Sequence, residues 1–189
     1  VKTLRSYNTC MVAWARCGRA DKAHALLDEL VHDTNNNLRP NIVSYSTVIH
    51  AYARSKDPDK ATKAYKVLAE MKAAGILPNS ITYNNLLNCC ATSSSAPRDV
   101  LEKIVKTIYK QHPDPDYITF GTVLKACNNL FLDPDFAIQV FENAAERGMV
   151  TKGVSLQFRH AVPPRVYNQI VAGNELPVEW TRNIHGEKR

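Results

Sequence analysis

Ser80-Ile81-Thr82-Tyr83-Asn84-Asn85-Leu86-Leu87, preceded by Pro78-Asn79, decides the fold because it recurs. Upstream, Pro40-Asn41-Ile42-Val43-Ser44-Tyr45-Ser46-Thr47-Val48-Ile49 has the same form. Downstream, Pro115-Asp116-Tyr117-Ile118-Thr119-Phe120-Gly121-Thr122-Val123-Leu124 has it again, and Leu4-Arg5-Ser6-Tyr7-Asn8-Thr9-Cys10-Met11 is a fourth copy. The aromatic residue marks the period: Tyr7, Tyr45, Tyr83 and Phe120 lie 38, 38 and 37 residues apart. Self-similarity at this spacing is the signature of stacked supersecondary units, none of which buries its apolar face alone.

Each unit reads as two helices. The first carries one apolar stripe at helical spacing: Cys10, Met11, Trp14 and Ala15, then Val48, Ile49, Tyr52 and Ala53. Leu86, Leu87, Cys90 and Ala91 repeat it, as do Val123, Leu124 and Cys127. The second stripes are Ala23, Leu26, Leu27, Leu30 and Val31, followed by Ala61, Ala64, Tyr65, Leu68 and Met71. Val100, Leu101, Ile104, Val105 and Ile108 form the third, and Phe136, Ala137, Val140, Phe141 and Ala144 the fourth. Gly18, Gly75 and Gly148 punctuate the helices, and Asn35-Asn36-Asn37 reads as a polar turn. Asp57-Pro58 and Asp133-Pro134 each read as an N-cap followed by proline in the first helical turn.

The pattern predicts an all-α solenoid of helical hairpins, a superhelix with one concave surface. Four units fill residues 1–152, and a degenerate fifth unit with a C-terminal cap fills 153–189. In the fifth unit Leu156 takes the aromatic's place and Val154 the place two before it. Pro163-Pro164 cuts that helix short, a brief helix through Val166, Tyr167 and Ile170 follows, and Pro177 to Ile184 reads as a cap containing Trp180. His185 to Arg189 reads as a mobile tail.

Composition bounds the function. The chain has 189 residues, 44% hydrophobic and 22% charged, which suits one folded unit with a substantial core. No run of about 18 apolar residues exists to span a membrane. The net charge of +6 favours polyanion partners such as RNA. Cys10, Cys17, Cys89, Cys90 and Cys127 contain no CxxC, sit in helical patterns and read as reduced, small apolar residues, with neither zinc nor disulfide. His24, His32, His50, His112, His160 and His185 lack ligand spacing and read mostly as surface residues. No HExxH, Gly-rich phosphate loop or GxSxG occurs, so no catalytic residue, metal or cofactor is assigned and the chain is read as a non-enzyme. It opens at Val1 without initiator Met, signal or transit peptide, which reads as a fragment or processed chain and leaves its location open.

The markers "SYNT", "SYST", "TYNN" and "TFGT", with "CGRADKAHALLDEL" and "KDPDKATKAYKVLAEMKAAGILPN", resemble the pentatricopeptide repeat family over about residues 4–152. Most units run two or three residues longer than the family's usual repeat. The resemblance implies a superhelix of the tetratricopeptide and pentatricopeptide kind that binds single-stranded RNA, one base per repeat. It implies base-reading pairs at Asn8 with Asn41 (pyrimidine), Ser46 with Asn79 (adenine) and Asn84 with Asp116 (uracil). Gly121 with Lys152 matches no such pair. Val43, Ile81 and Ile118 fall where family members wedge between bases, with Arg5 departing from that pattern. Arg16 and Arg54 fall where a basic residue approaches phosphate. Asn and Ser near a helix start are also ordinary capping residues. Three units pairing polar residues at matched places favour base reading. The implied partners are single-stranded RNA and other RNA-processing proteins, with no membrane and no small-molecule substrate. The implied role is stabilising, processing or translating transcripts in a mitochondrion or chloroplast, with further repeats upstream to strengthen binding. The alternative is a tetratricopeptide-like scaffold holding a protein segment.

Overall fold

A computed structural model describes residues 3–33, 38–171 and 176–184. The described residues form α-helices without strands: α1 (Leu4–Arg16), α2 (Ala20–Val31), α3 (Ile42–Arg54), α4 (Lys60–Ala73), α5 (Ser80–Ala91), α6 (Arg98–Gln111), α7 (Tyr117–Asn129), α8 (Pro134–Glu146), α9 (Lys152–Ala161), α10 (Pro164–Ile170) and α11 (Val178–Thr181). The chain forms two compact units, Val1–Ile104 and Val105–Arg189, divided within α6. In the first unit α1, α3 and α5 make one row, each packed on the next, and α2 and α4 line the other side. In the second unit α7 packs on α8 and α9, α8 also meets α9 and α11, and α10 lies on α9.

The opening helices start the same way because the same residue type precedes them. Thr3, Asn41, Asn79, Asp116 and Thr151 are the N-caps of α1, α3, α5, α7 and α9, each accepting from the backbone N–H three residues on. That bond satisfies an N–H that has no partner inside the helix. Helix ends repeat too. Gly18, Gly75 and Gly148 hold φ of 67°, 73° and 68° just past α1, α4 and α8. There the N–H groups of Gly75 and Ile76 return to the carbonyls of Lys72 and Met71 at 2.9 and 3.0 Å, the Schellman closure. α7 ends in the same closure without glycine: Phe131 takes φ 50° and stands 76% exposed.

The repeat aromatics sit inside as expected: Tyr7, Tyr45, Tyr83 and Phe120 are all buried. Cys10 and Trp14 depart from the expected stripe, being exposed while Met11 and Ala15 are buried. The reason is positional. Cys10, Ala13 and Trp14 are the seventh, tenth and eleventh residues of α1 and are all exposed. Their counterparts Val48, Ala51 and Tyr52 in α3 are at most 4% exposed. α1 packs on α2 and on α3 with other faces, so this flank stays open.

In the second helices Tyr65, Val31 and Val100 are also exposed, against expectation, and Val67 is buried instead. Ala61, Ala64, Leu68 and Met71 complete the inward stripe of α4, which leaves Tyr65 at its edge. Asp57 does not cap α4. Its carboxylate accepts from the Asp59 N–H at 2.9 Å and the Lys63 ammonium at 2.6 Å, so Pro58 stays in a turn and the helix starts at Lys60. Pro134 does occupy the first turn of α8 behind Asp133. The two exposed thiols, Cys10 and Cys17, contrast with buried Cys89, Cys90 and Cys127. Burial pushes the Cys90 thiol up to about 12. His112 is buried, against the surface reading. The turn assigned to Asn35-Asn36-Asn37 and the tail His185–Arg189 lie outside the described residues.

The fifth opening helix is shifted by one residue from expectation. Thr151 is its cap, so Ser155 and not Leu156 occupies the aromatic's place. Val154 is the third helical residue and buried, Gly153 takes the second place, and Leu156 falls at the fifth, 48% exposed. The aromatic role passes to Phe158, whose ring stacks on Phe141 with centroids 4.1 Å apart. Trp180 meets Phe141 edge-on at 5.6 Å, and the Val150 N–H donates to the Trp180 carbonyl at 2.7 Å.

Candidate nucleic-acid interface

Counting from each cap, the second helical residue is Arg5, Val43, Ile81 or Ile118, and the fifth is Asn8, Ser46, Asn84 or Gly121. The fourth is the buried aromatic. The fifth lies about 100° around the helix from it, at the edge of the core, and Asn8 and Ser46 are half-buried there.

In the first unit these residues are joined to the next cap. The Asn8 amide donates to Asn41 Oδ1 at 3.4 Å, and the Ser44 hydroxyl donates to Asn8 Oδ1 at 2.7 Å. One repeat on, the hydroxyls of Ser46 and Thr82 are 2.7 Å apart, and Thr82 Oγ1 donates to Asn79 Oδ1 at 2.9 Å. So the structure brings Asn8 to Asn41 directly and Ser46 to Asn79 through Thr82. Asn84 is the fifth residue of α5 in the first unit, and Asp116 is the cap of α7 in the second. Asp116 accepts from the Thr119 N–H and hydroxyl, both at 2.8 Å, and Thr119 Oγ1 lies 3.3 Å from His112 Nε2.

Ser44 and Thr82 are residues that sequence reasoning missed. They are buried polar groups at the third helical position. Their signal is a Ser or Thr three residues after each cap, at Ser6, Ser44, Thr82 and Thr119, broken at Val154.

The capping bonds orient the amides. Oδ1 of Asn41 and of Asn79 accepts from its helix N-terminus, so the Nδ2 atom, which carries only donors, is left to point elsewhere. A carboxylate in the same place carries only acceptors.

Among the recesses of the first unit, two contain fifth-position and cap residues. One of about 760 Å³ has Asn8 and Asn41 among its lining, with Arg5 and Val43. The next, of about 200 Å³, is lined by Ser46 and Asn79, with Val43 and Ile81. Val43 thus borders both. It is 47% exposed, with Ile81 at 65% and Ile118 at 50%, although all three are aliphatic. Arg16 and Arg54 end α1 and α3, exposed, where a cation also favours the helix dipole. Arg16 lines the larger recess.

The last junction, in the second unit, is built differently. Thr151 caps α9 and takes the place expected for Lys152 opposite Gly121. A Cβ at Gly121 would meet the Val154 methyl at 3.8 Å, an apolar contact where the first unit has hydroxyls.

Cap-anchored first helices in a row, each backed by a second helix, define a helical-hairpin repeat protein. Models of the "PPR repeat" and the "PPR repeat family" match residues 5–33 and 40–92, so the chain carries pentatricopeptide repeats over those residues. Among solved structures it is similar to the pentatricopeptide repeat protein PPR10 in complex with an 18-nt psaJ RNA element. The TM-score is 0.68 and the identity 20%, over 92% of this chain and 24% of that one. A triple cysteine-to-serine variant of PPR10 with the same RNA element matches with the same values. The likeness shows the fold class, the helical-hairpin repeat solenoid, and the chain spans about a quarter of the length of these relatives. No curated protein sequence matches it.

Proposed function

We propose that the chain binds single-stranded RNA in a base-specific manner, without catalysis, through four repeats in residues 1–152 followed by a degenerate fifth and a cap in 153–189. The observation that carries this reading is the pair of consecutive recesses, each with a fifth-position residue and a cap residue in its lining, and with Val43 bordering both. Such an arrangement suits consecutive bases: aliphatic side chains between them and hydrogen-bonding groups at their edges. The matched repeat models and the RNA bound to PPR10 point the same way.

The cap chemistry is compatible with the bases that the family resemblance implies. Asn41 and Asn79 present amide donors, which suit acceptor edges such as cytosine N3 and adenine N1. Asp116 presents acceptors, which suit an N–H such as uracil N3–H. With Asn8, Ser46 and Asn84 as their partners, the site reads pyrimidine-A-U from the N-terminal repeat. Val43, Ile81 and Ile118 wedge between bases, and Arg16 and Arg54 approach phosphates. The family carries the proposed service, maintenance or translation of transcripts in a mitochondrion or chloroplast.

Binding to short RNAs containing CAU should exceed binding to scrambled controls and should weaken on Asn84→Ala. Affinity should fall with salt, with a logarithmic slope of about −0.7 per phosphate contact. Equal binding to CAU and scrambled RNA, unmoved by the substitution, would sink the reading and favour a protein ligand.

A further inference from the structure

The second recess holds a residue that base reading leaves unused. His50 is the ninth residue of α3, one turn beyond Ser46, and residues four apart share a helix face. It is exposed, and it lines the same recess as Ser46, Asn79, Val43 and Ile81. The first recess has Val12 at the matching position. One turn further along α3 stands Arg54.

The surroundings of His50 are poor in charge. The other lining residues are Ile42, Val43, Ser46 and Thr47 from α3, Asn79 from the cap, and Ile81 and Asn85 from α5, none of them ionisable near neutral pH. Partial burial lowers the imidazole's proton affinity below its ordinary value, and the nearby Arg54 charge lowers it further. Asp or Glu is absent from the lining, so no carboxylate there offsets these effects. His50 therefore waits neutral, in a recess where an arriving anion would favour the imidazolium.

We infer that His50 is a phosphodiester contact of the second slot, engaging the backbone of the nucleotide whose base meets Ser46 and Asn79. This rests on the RNA-binding reading. Each nucleotide brings one phosphate. Ser46 and Asn79 face the base edge, while His50 and then Arg54 continue along the helix as a basic row. Protonation draws a proton from solvent, and the imidazolium donates to a phosphate oxygen. The linkage has a definite sign. The free protein holds the His50 pKa below 6.5, and the bound phosphate raises it. Affinity is therefore flat above the bound value, grows as pH falls between the bound and free values, and levels off below both.

RNA containing CAU, titrated at pH 7.5 and at pH 5.5, tests this. The wild type should bind roughly twofold to fivefold tighter at the lower pH, the range for a solvent-accessible charge contact. His50→Gln should lose that gain while keeping its preference for CAU over scrambled RNA. A neutral methylphosphonate beside the adenosine should abolish the gain in the wild type. Proton NMR of the His50 ring should show its pKa rising when CAU RNA is added. A pH gain shared equally by His50→Gln, its absence in the wild type, or its survival with the methylphosphonate would each overturn the contact while RNA binding stood. Equal binding of CAU and scrambled RNA by the wild type would overturn the underlying reading and this inference with it.

Discussion

The junctions at the two ends of the chain solve one packing problem with opposite chemistry. In the first unit, α1 meets α3 and α3 meets α5 through polar side chains: Asn8 to Ser44 and Asn41, then Ser46 to Thr82 and Asn79. In the second, α7 meets α9 through Gly121 and Val154, and the end is closed by Phe141, Phe158 and Trp180. The cap bond itself is unchanged, since Thr151 accepts from the Val154 N–H at 3.1 Å much as Asn41 accepts from Ser44. Starting a helix thus needs only the cap. The hydroxyl at the third position and the polar group at the fifth are additions, and they are absent where the aromatic closure takes over.

Substitutions at four positions sharpen that contrast. Phe141→Ala should have the largest effect, because a fully buried ring leaves a cavity that Phe158 and Trp180 cannot fill. About 3–5 kcal/mol should be lost in urea denaturation. A loss under about 1 kcal/mol would mean that the aromatics do not hold this end. Thr82→Val preserves shape but strips Ser46 and Asn79 of their shared hydroxyl, and should cost about 1–3 kcal/mol. Selectivity for adenine over guanine in the second slot should drop with it.

Asn41→Ala removes a cap and should cost about 1 kcal/mol. Asn41→Asp keeps the cap, so its stability should match the wild type. Its first-slot preference should move towards bases with an N–H edge, measured on RNAs varied at that one position. Unchanged preference would disprove the donor–acceptor assignment. Gly121→Ala should have a small effect in the opposite direction. The added methyl makes ordinary contact with Val154, and removing a helix-interior glycine should stabilise by roughly 0.5–1 kcal/mol.

The repeat period and the buried aromatics were legible in the sequence because each rests on local chemistry: a turn or a helical stripe. What was not legible depended on neighbours. Trp14 has the spacing of a core residue, yet its flank is open, and spacing alone does not say whether another helix covers a stripe. Leu156 looked like the aromatic's substitute by count. The cap at Thr151 sets the register one residue earlier, and Thr-Lys-Gly-Val is a weaker start signal than Asn-Ile-Val-Ser. For the site, the fifth-position and cap residues could be picked out by recurrence. Ser44 and Thr82 escaped because a Ser or Thr before an aromatic reads as filler until its hydroxyl is seen bridging two repeats. Phe131 at φ 50° was equally invisible, since glycine is the residue that announces a left-handed helix end.

The open flank of α1 has an optical consequence. The chain has two tryptophans, and they report on different units: Trp14 stands 38% exposed in the first, and Trp180 lies half-buried against Phe141 in the second. Their emission should differ in colour, with Trp14 the redder. With Trp14→Phe, the remaining fluorescence follows the second unit alone; with Trp180→Phe, it follows the first. One denaturation series on these two proteins would therefore show whether the units melt together or in turn.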